Sequence, residues 1–407
     1  MTATMSPRDA QRSGAESPHA FPALDAVRGA AAAAVMLTHV AFATGATSEG
    51  AFGALLARLD YGVALFFLLS GFLLSRPWFA SAAGAGPSVS VRVYALRRFA
   101  RIMPLYWLVL IVVLVAVPAN RTMSGADVVL NALLLQIYPP DALPHALTQA
   151  WSLATEASFY AILPILAPLI ARAAASRSRG WRPGRALLVL GLLAVASYGF
   201  IAAVRWPGSP LPTQAGFWLP YSLSWFLLGM ALALLVVCQR SGGLDRALGA
   251  LQPLGGSVGT SWAIAATAFV LASTPLAGPR AFEAETDPLS AVAKSILYGL
   301  SAFFILVPLV VQPRGNGPLR DALQSRVARW WGDTSYGVFL WHLLALEGVM
   351  WVLRIEPFTG GFLVVAPLTY VVTLLLAEVT NRTLERPVMR RALSYRGPAK
   401  PPAPAPA

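Results

Sequence analysis

The sequence predicts an all-α, polytopic integral membrane protein, a bundle of about ten transmembrane helices with both termini cytoplasmic. Three observations carry that reading. Of 407 residues 57% are hydrophobic and only 12% are charged, with a mean hydropathy of +0.62, far more apolar than a soluble domain of this length. Apolar runs long enough to cross a bilayer recur along the whole chain. The cationic residues are split unevenly between alternate connecting segments, as the positive-inside rule requires.

Residues 1–20 are polar and small, including Arg8, Asp9, Gln11, Arg12 and Glu16; they carry no cleavable signal and read as a disordered cytoplasmic tail. The first span, near 24–45, opens with Asp25 and Arg28 and runs through an alanine-rich stretch to His39. Ionisable groups inside membrane-length segments are costly and are kept mainly where they face a cavity or a partner, so these three mark a site. At about 100° per residue, Arg28 and His39 both fall within about 60° of Asp25 on the same side and line one wall. The second span, near 59–80, carries Ser70-Gly71, a pair that permits close helix approach or exposes backbone to a cavity.

The third span, near 102–118, is preceded by Arg97, Arg98 and Arg101. Their spacing allows the guanidinium groups to converge on an anion such as a phosphate, although a positive-inside anchor of snorkelling side chains explains most clusters of this kind. The stretch Ala126 to Leu135 is too short to span and suits an interfacial helix roofing a cleft. The fourth span, near 151–171, opens with Trp151 and places Ser152, Glu156 and Tyr160 four residues apart, a polar stripe on a membrane helix.

The next four spans, near 186–204, 217–238, 259–275 and 291–311, rest on apolar length alone. The ninth, near 334–354, holds His342 close to the midplane, where a satisfied interhelical hydrogen bond is the alternative to a role in the site. The tenth, near 361–381, ends in Glu378, Arg382 and Glu385, spaced as an ion-pair ladder before Pro387. Residues 393–407 form a Pro/Ala-rich disordered tail. His19 and His145 lie in a tail and a loop and carry no argument. The single cysteine, Cys238, excludes an internal disulfide and a cysteine metal cluster, and no metal is expected.

With this topology 24 of the 31 Lys and Arg residues lie inside, six lie outside, and the last is Arg28 within the first span. The net charge of +13 therefore follows from topology and does not call for a nucleic-acid partner. The richness in Ala, Gly, Pro and Arg points to a high-GC bacterial gene, hence to the bacterial cytoplasmic (inner) membrane.

Six blocks, in order, resemble the acyltransferase 3 membrane family. They are Phe21 to Gly29 followed by His39; Leu65 to Leu73; Arg98 to Tyr106; Trp151-Ser152-Leu153 with Glu156 to Tyr160; Ser335 to His342; and Glu385-Arg386-Pro387. The position before Leu65 is often polar in that family and is Ala64 here. The resemblance makes residues 21–392 one acyltransferase 3-like transmembrane domain, without the soluble esterase-like domain that some members append. It implies transfer of an acyl group, commonly acetyl, from cytoplasmic acyl-CoA to a hydroxyl of an envelope carbohydrate or glycolipid. A secreted glycosylated metabolite such as a macrolide is the alternative acceptor. Acyl-CoA is then a cosubstrate, with no tightly bound cofactor.

Under that reading Arg97, Arg98 and Arg101 receive the CoA phosphates at the inner side, while His39 and Glu156 lie toward the outer side where the acceptor arrives. His39 lies ~16 Å beyond Arg28 along one helix, so the two mark the ends of a tunnel. His39 acts as general base, or as a nucleophile through an acyl-histidine, with Glu156 orienting it or binding the sugar. Tyr160 and Ser152 hold either partner, and Asp25, Arg28, Ser70, Trp151 and His342 complete the expected substrate contacts. The rival class is a secondary transporter, since buried charges also serve transport pathways. The absence of a recognisable repeat and the arginine cluster at one mouth argue against it.

Overall fold

Helices make up nearly all of the computed structural model, which describes residues 21–139, 146–176, 180–280, 287–312 and 317–395. In chain order they are α1 (Ala23–Ala43), α2 (Gly50–Ala57), α3 (Gly62–Ala82), α4 (Val91–Ala116), α5 (Gly125–Ala132), α6 (Ala150–Ala174), α7 (Pro183–Arg205) and α8 (Leu219–Ser241). Then follow α9 (Asp245–Gly256), α10 (Val258–Ala272), α11 (Pro288–Val310), α12 (Pro318–Leu323), α13 (Arg326–Leu353), α14 (Phe362–Thr380) and α15 (Arg386–Ser394). A two-residue ribbon, β1 (Ala175–Ser176) against β2 (Gly180–Trp181), joins α6 to α7. The expected tail 1–20, the end of the chain beyond Tyr395, His19 and His145 lie outside the described residues.

Among the described residues nine helices are long and apolar enough to cross a membrane. The protein is a multi-pass membrane protein. The seventh expected span is the exception, because α10 has only 15 residues and meets α9 at a 97° bend. Buried Arg320 braces this corner by donating to Gly255 O at 3.2 Å and Pro308 O at 2.8 Å, which satisfies carbonyls that the bend and the end of α11 leave exposed.

Two other helices begin earlier than their apolar runs. α4 starts at Val91, where Ser90 accepts from the Val93 N–H, so the arginine cluster lies within the helix. α13 starts at Arg326, capped by Ser325. Polar first turns extend a capped helix beyond its membrane core. The interfacial helix is present as α5, begun by a Ser124/Asp127 capping box, and it lines neither of the two cavities described below. It packs on α4, whose Tyr106 Oη and Trp107 Nε1 donate to Asn131 O and Ala132 O at 2.6 and 2.9 Å.

Lipid is as apolar as leucine, so helices in a membrane associate through close packing of small residues rather than through hydrophobic burial. Two crossings show this. At the crossing of α3 and α8, a Cβ on Gly71 would stand 2.1 Å from Phe226 O, and one on Gly229 would stand 2.1 Å from Leu68 O. Phe67 and Phe159 stack on Phe226 beside it, with centroids 4.5 and 4.1 Å away. At the crossing of α1 and α13, Gly29 lies against Trp331 and Gly332 against the Asp25 backbone. Outward rows such as Leu188, Leu192 and Val195 on α7, and Leu363, Val371 and Leu375 on α14, are exposed as a lipid-facing surface must be.

The α3/α8 contact is backbone to backbone and has no flexible side chain to yield. Gly71→Ala and Gly229→Ala are each expected to destabilise the fold by about 1–3 kcal/mol, as overpacking does. The measurement is thermal unfolding in detergent, and an unchanged midpoint would count against this crossing.

Candidate active site

Two cavities lie along the interior faces of α1, α3, α6 and α13. The larger, about 1010 Å³, is lined by His39, Asp60, Gln149, Trp151 and Ser152, by the segment 204–217 that leads out of α7, and by Trp225, Lys294 and Tyr298. The smaller, about 300 Å³, is lined by Arg28, Ser70, Arg98, Arg101, Glu156, Tyr160, Asp333 and Tyr336. Val63, Ser152 and Phe339 line both and form their common wall.

The helix directions explain this arrangement. α1 and α13 run in parallel from the arginine cavity toward the histidine cavity, with Arg28 before His39 and Tyr336 before Phe339. α3 and α6 run the opposite way, from Asp60 to Ser70 and from Trp151 to Tyr160.

His39 is held by its own helix. Its Nδ1 lies 2.7 Å from Val35 O, one turn back. A carbonyl can only accept, so Nδ1 carries the proton and Nε2 is the basic nitrogen. The ring of His342 stands 5.0 Å away, tilted by 58°. Its Nδ1 is likewise 2.7 Å from Phe339 O, and its Nε2 is buried without a hydrogen-bond partner. His342, expected among the substrate contacts, is in the lining of neither cavity. It packs behind His39.

Glu156 also departs from expectation. Its Oε1 accepts from Ser70 Oγ and, at 2.6 Å, from Tyr160 Oη, which places it in the arginine cavity and not beside His39. The polar stripe of α6 is real but crosses between cavities. Trp151 and Ser152 begin it on the histidine side, and Glu156 lies about a turn further along the helix.

The arginines separate as well. Arg98 stands 5.9 Å from the Tyr160 ring, and Arg101 stands 5.6 Å from the Tyr336 ring while pairing with Glu385 at 3.2 Å. Arg97, about 100° round the helix from Arg98, is in the lining of neither cavity. Arg28 takes its place and pairs with Asp25 at 3.0 Å; Asp25 itself lines neither cavity, so its expected substrate contact is replaced by this support of Arg28.

The expected ladder at the end of α14 is also half right. Arg382 pairs with Glu378, but Glu385 turns inward to Arg101 because residues Asn381–Glu385 form a π-helical turn. The extra residue in that turn shifts the helical phase. Sequence reading missed Asp60, Gln149 and Lys294. Lys294 carried a usable signal: it lies in the second turn of a spanning helix, not in a flank.

This is a multi-pass membrane protein with a half-buried histidine in one cavity and a cluster of arginines in the next. The chain belongs to the acyltransferase 3 family, whose profile, described as an acyltransferase domain, matches residues 21–379.

It is 32% identical over 230 residues to Acyltransferase MdmB of Streptomyces mycarofaciens, a match covering 53% of this chain and 57% of that one. It is 26% identical over 383 residues to the putative peptidoglycan O-acetyltransferase YrhL of Bacillus subtilis, covering 90% and 55%. It is 25% identical over 390 residues to the peptidoglycan O-acetyltransferase OatA of Listeria monocytogenes, covering 91% and 56%. The chain thus spans about half the length of the curated relatives it matches. No solved structure matches it.

The anchoring of both imidazoles predicts their tautomers. In protein carrying ¹⁵N-labelled histidine, solid-state NMR at neutral pH should show His39 with a protonated Nδ1 and an unprotonated Nε2, assigned by loss of the signal in His39→Gln. An Nε2–H tautomer would remove His39 as a base facing the cavity.

Proposed function

We propose that the protein is a membrane O-acyltransferase of the bacterial cytoplasmic membrane, moving an acyl group, most simply acetyl, from acyl-CoA to a hydroxyl of a carbohydrate or glycolipid acceptor. The observation that carries this reading is the common wall of Val63, Ser152 and Phe339 between a cavity with a histidine base and one with three arginines. The arginine side suits a polyphosphate donor, because guanidinium groups bind phosphate through charge-assisted, often bidentate hydrogen bonds. The basic end of the bundle then faces the cytoplasm, in keeping with the excess of Lys and Arg in the segments on that side. The larger cavity, rimmed by Trp206 and Phe217 and floored by Trp225, takes the acceptor.

The chemistry follows from the fixed tautomer. The acceptor hydroxyl gives its proton to His39 Nε2 as its oxygen attacks the thioester carbonyl. The tetrahedral intermediate then expels the CoA sulfur, which leaves with the proton held by the imidazolium, and the ester remains on the acceptor. Arg28, Arg98 and Arg101 bind the donor. Glu156, fixed by Ser70 and Tyr160, supplies a negative charge that offsets the repulsion between Arg28 and Arg98 in the same cavity. Glu385 holds Arg101 for the same purpose.

The test uses inside-out vesicles given acetyl-CoA labelled in the acetyl group, with mass spectrometry of envelope sugars and lipids. Label attached covalently to a carbohydrate hydroxyl is the expected result. Label that crosses the membrane unchanged would instead support a transporter. His39→Gln should lower kcat by about 10²–10⁴-fold, the range for loss of a general base. Arg98→Gln and Glu385→Gln should each raise the KM for acetyl-CoA by tenfold or more with a smaller effect on kcat, since a hydrogen bond to a charged group is worth about 1.5–3 kcal/mol.

A further inference from the structure

One wall of the histidine cavity carries an ion pair that neither the base nor the arginines account for. Asp60 sits on the short turn Arg58–Tyr61 that leads into α3. Its Oδ1 accepts from Tyr298 Oη, and Lys294 Nζ stands 3.6 Å from its Oδ2. Lys294 and Tyr298 are one turn apart on α11, and the ammonium lies 5.6 Å from the Tyr298 ring. The ring in turn stacks on Trp225 at 6.3 Å.

The frame around the pair is rigid. Buried Arg58 donates to Ala277 O and Gly278 O at 3.1 and 2.7 Å, fixing the turn, and Trp225 Nε1 donates to Ser295 O at 2.8 Å, tying α8 to α11. Both charged side chains nevertheless reach the cavity, with 28% of Asp60 and 15% of Lys294 exposed.

We infer that Asp60 and Lys294 bind two neighbouring hydroxyl groups of the acceptor and so select which hydroxyl reaches His39 Nε2. This rests on the proposal that the larger cavity holds the acceptor. The pair carries no net charge, which suits a neutral ligand. A carboxylate that only accepts, beside an ammonium that only donates, matches adjacent hydroxyls, each of which can do either. The faces of Trp225 and Tyr298 alongside offer an apolar surface for the C–H face of a sugar ring. The ligand this pair fits is a polyhydroxyl ring, and the alternative is an ion pair that only ties the turn to α11.

The experiment titrates the full chain in nanodiscs with methyl glucoside, methyl galactoside and methyl N-acetylglucosaminide, following tryptophan fluorescence from the cavity lined by Trp151, Trp206 and Trp225. The affinity for coenzyme A is measured in parallel as a check on the second cavity. At least one glycoside should saturate the wild type. Asp60→Asn and Lys294→Gln should each weaken it about tenfold or more with coenzyme A affinity changed less than twofold, and any acylated product should shift in the position of its ester. The inference is overturned if no glycoside saturates the wild type, if the variants bind as the wild type does, or if both ligands are lost together. Saturable glycoside binding by a protein that transfers no acetyl group would overturn the proposed reaction and leave the sugar site standing.

Discussion

Everything in the candidate site depends on how closely α1 approaches α13. A Cβ on Gly29 would stand 2.4 Å from the Trp331 ring, and one on Gly332 would stand 2.4 Å from Asp25 O. Only bare backbone permits this contact, and in lipid such contact is itself a main source of helix association. It sets the two parallel helices in register, so that His39 meets His342 and Arg28 comes to share a cavity with Asp333 and Tyr336. Both cavities take one wall from this pair of helices, and the order of polar groups along α1 becomes their order through the membrane.

The remaining charges follow from the cost of keeping them there. An ionised group inside the bundle needs a partner or water, and the partners come from distant parts of the chain. Glu156 on α6 is held by Ser70 on α3, Arg101 on α4 by Glu385 at the π-helical turn, and Asp60 by Lys294 and Tyr298 on α11. Each pair pins one element to another where apolar packing alone would leave rotation about the helix axis loosely defined. The same contacts leave guanidinium and carboxylate groups facing cavities, so stability and site are built from one set of side chains.

What the sequence makes legible follows from what a single helix can encode. Apolar length reveals the spans, and helical spacing reveals that Arg28 and His39 share a face and that Ser152, Glu156 and Tyr160 form a stripe. Local spacing cannot show on which side of a partition a stripe ends, which is why Glu156 belongs with the arginines and not with His39. Nor can it anticipate a break in the periodicity itself. One π-helical turn redirects Glu385 from Arg382 to Arg101, and a 97° bend sets the short α10, where a span near 259–275 is expected, against α9. Asp60 and Lys294 are 234 positions apart and each looks like an ordinary charge near a membrane boundary. Ala64 illustrates the converse: its methyl group is fully buried against Tyr298, Ala272 and Ala277.

The anchoring of His39 also weighs on the route of transfer. In an acyl-histidine route Nε2 carries the acyl group, and the neutral acyl-imidazole requires Nδ1 to give up its proton. Nδ1 lies 2.7 Å from Val35 O, so losing that proton would set two lone pairs against each other at that distance. Keeping it makes the intermediate a cation inside the membrane. The Val35 carbonyl and the Asp60 carboxylate in the same cavity would stabilise that cation as they would an imidazolium. The general-base route needs only a transient imidazolium, and the Nδ1–H to Val35 bond strengthens as that charge develops. Both routes keep the Nδ1–H to Val35 bond, and direct attack differs in requiring donor and acceptor to be bound together. In the proposed reaction, the three side chains shared by the two cavities stand where a thioester on one side would meet a hydroxyl on the other.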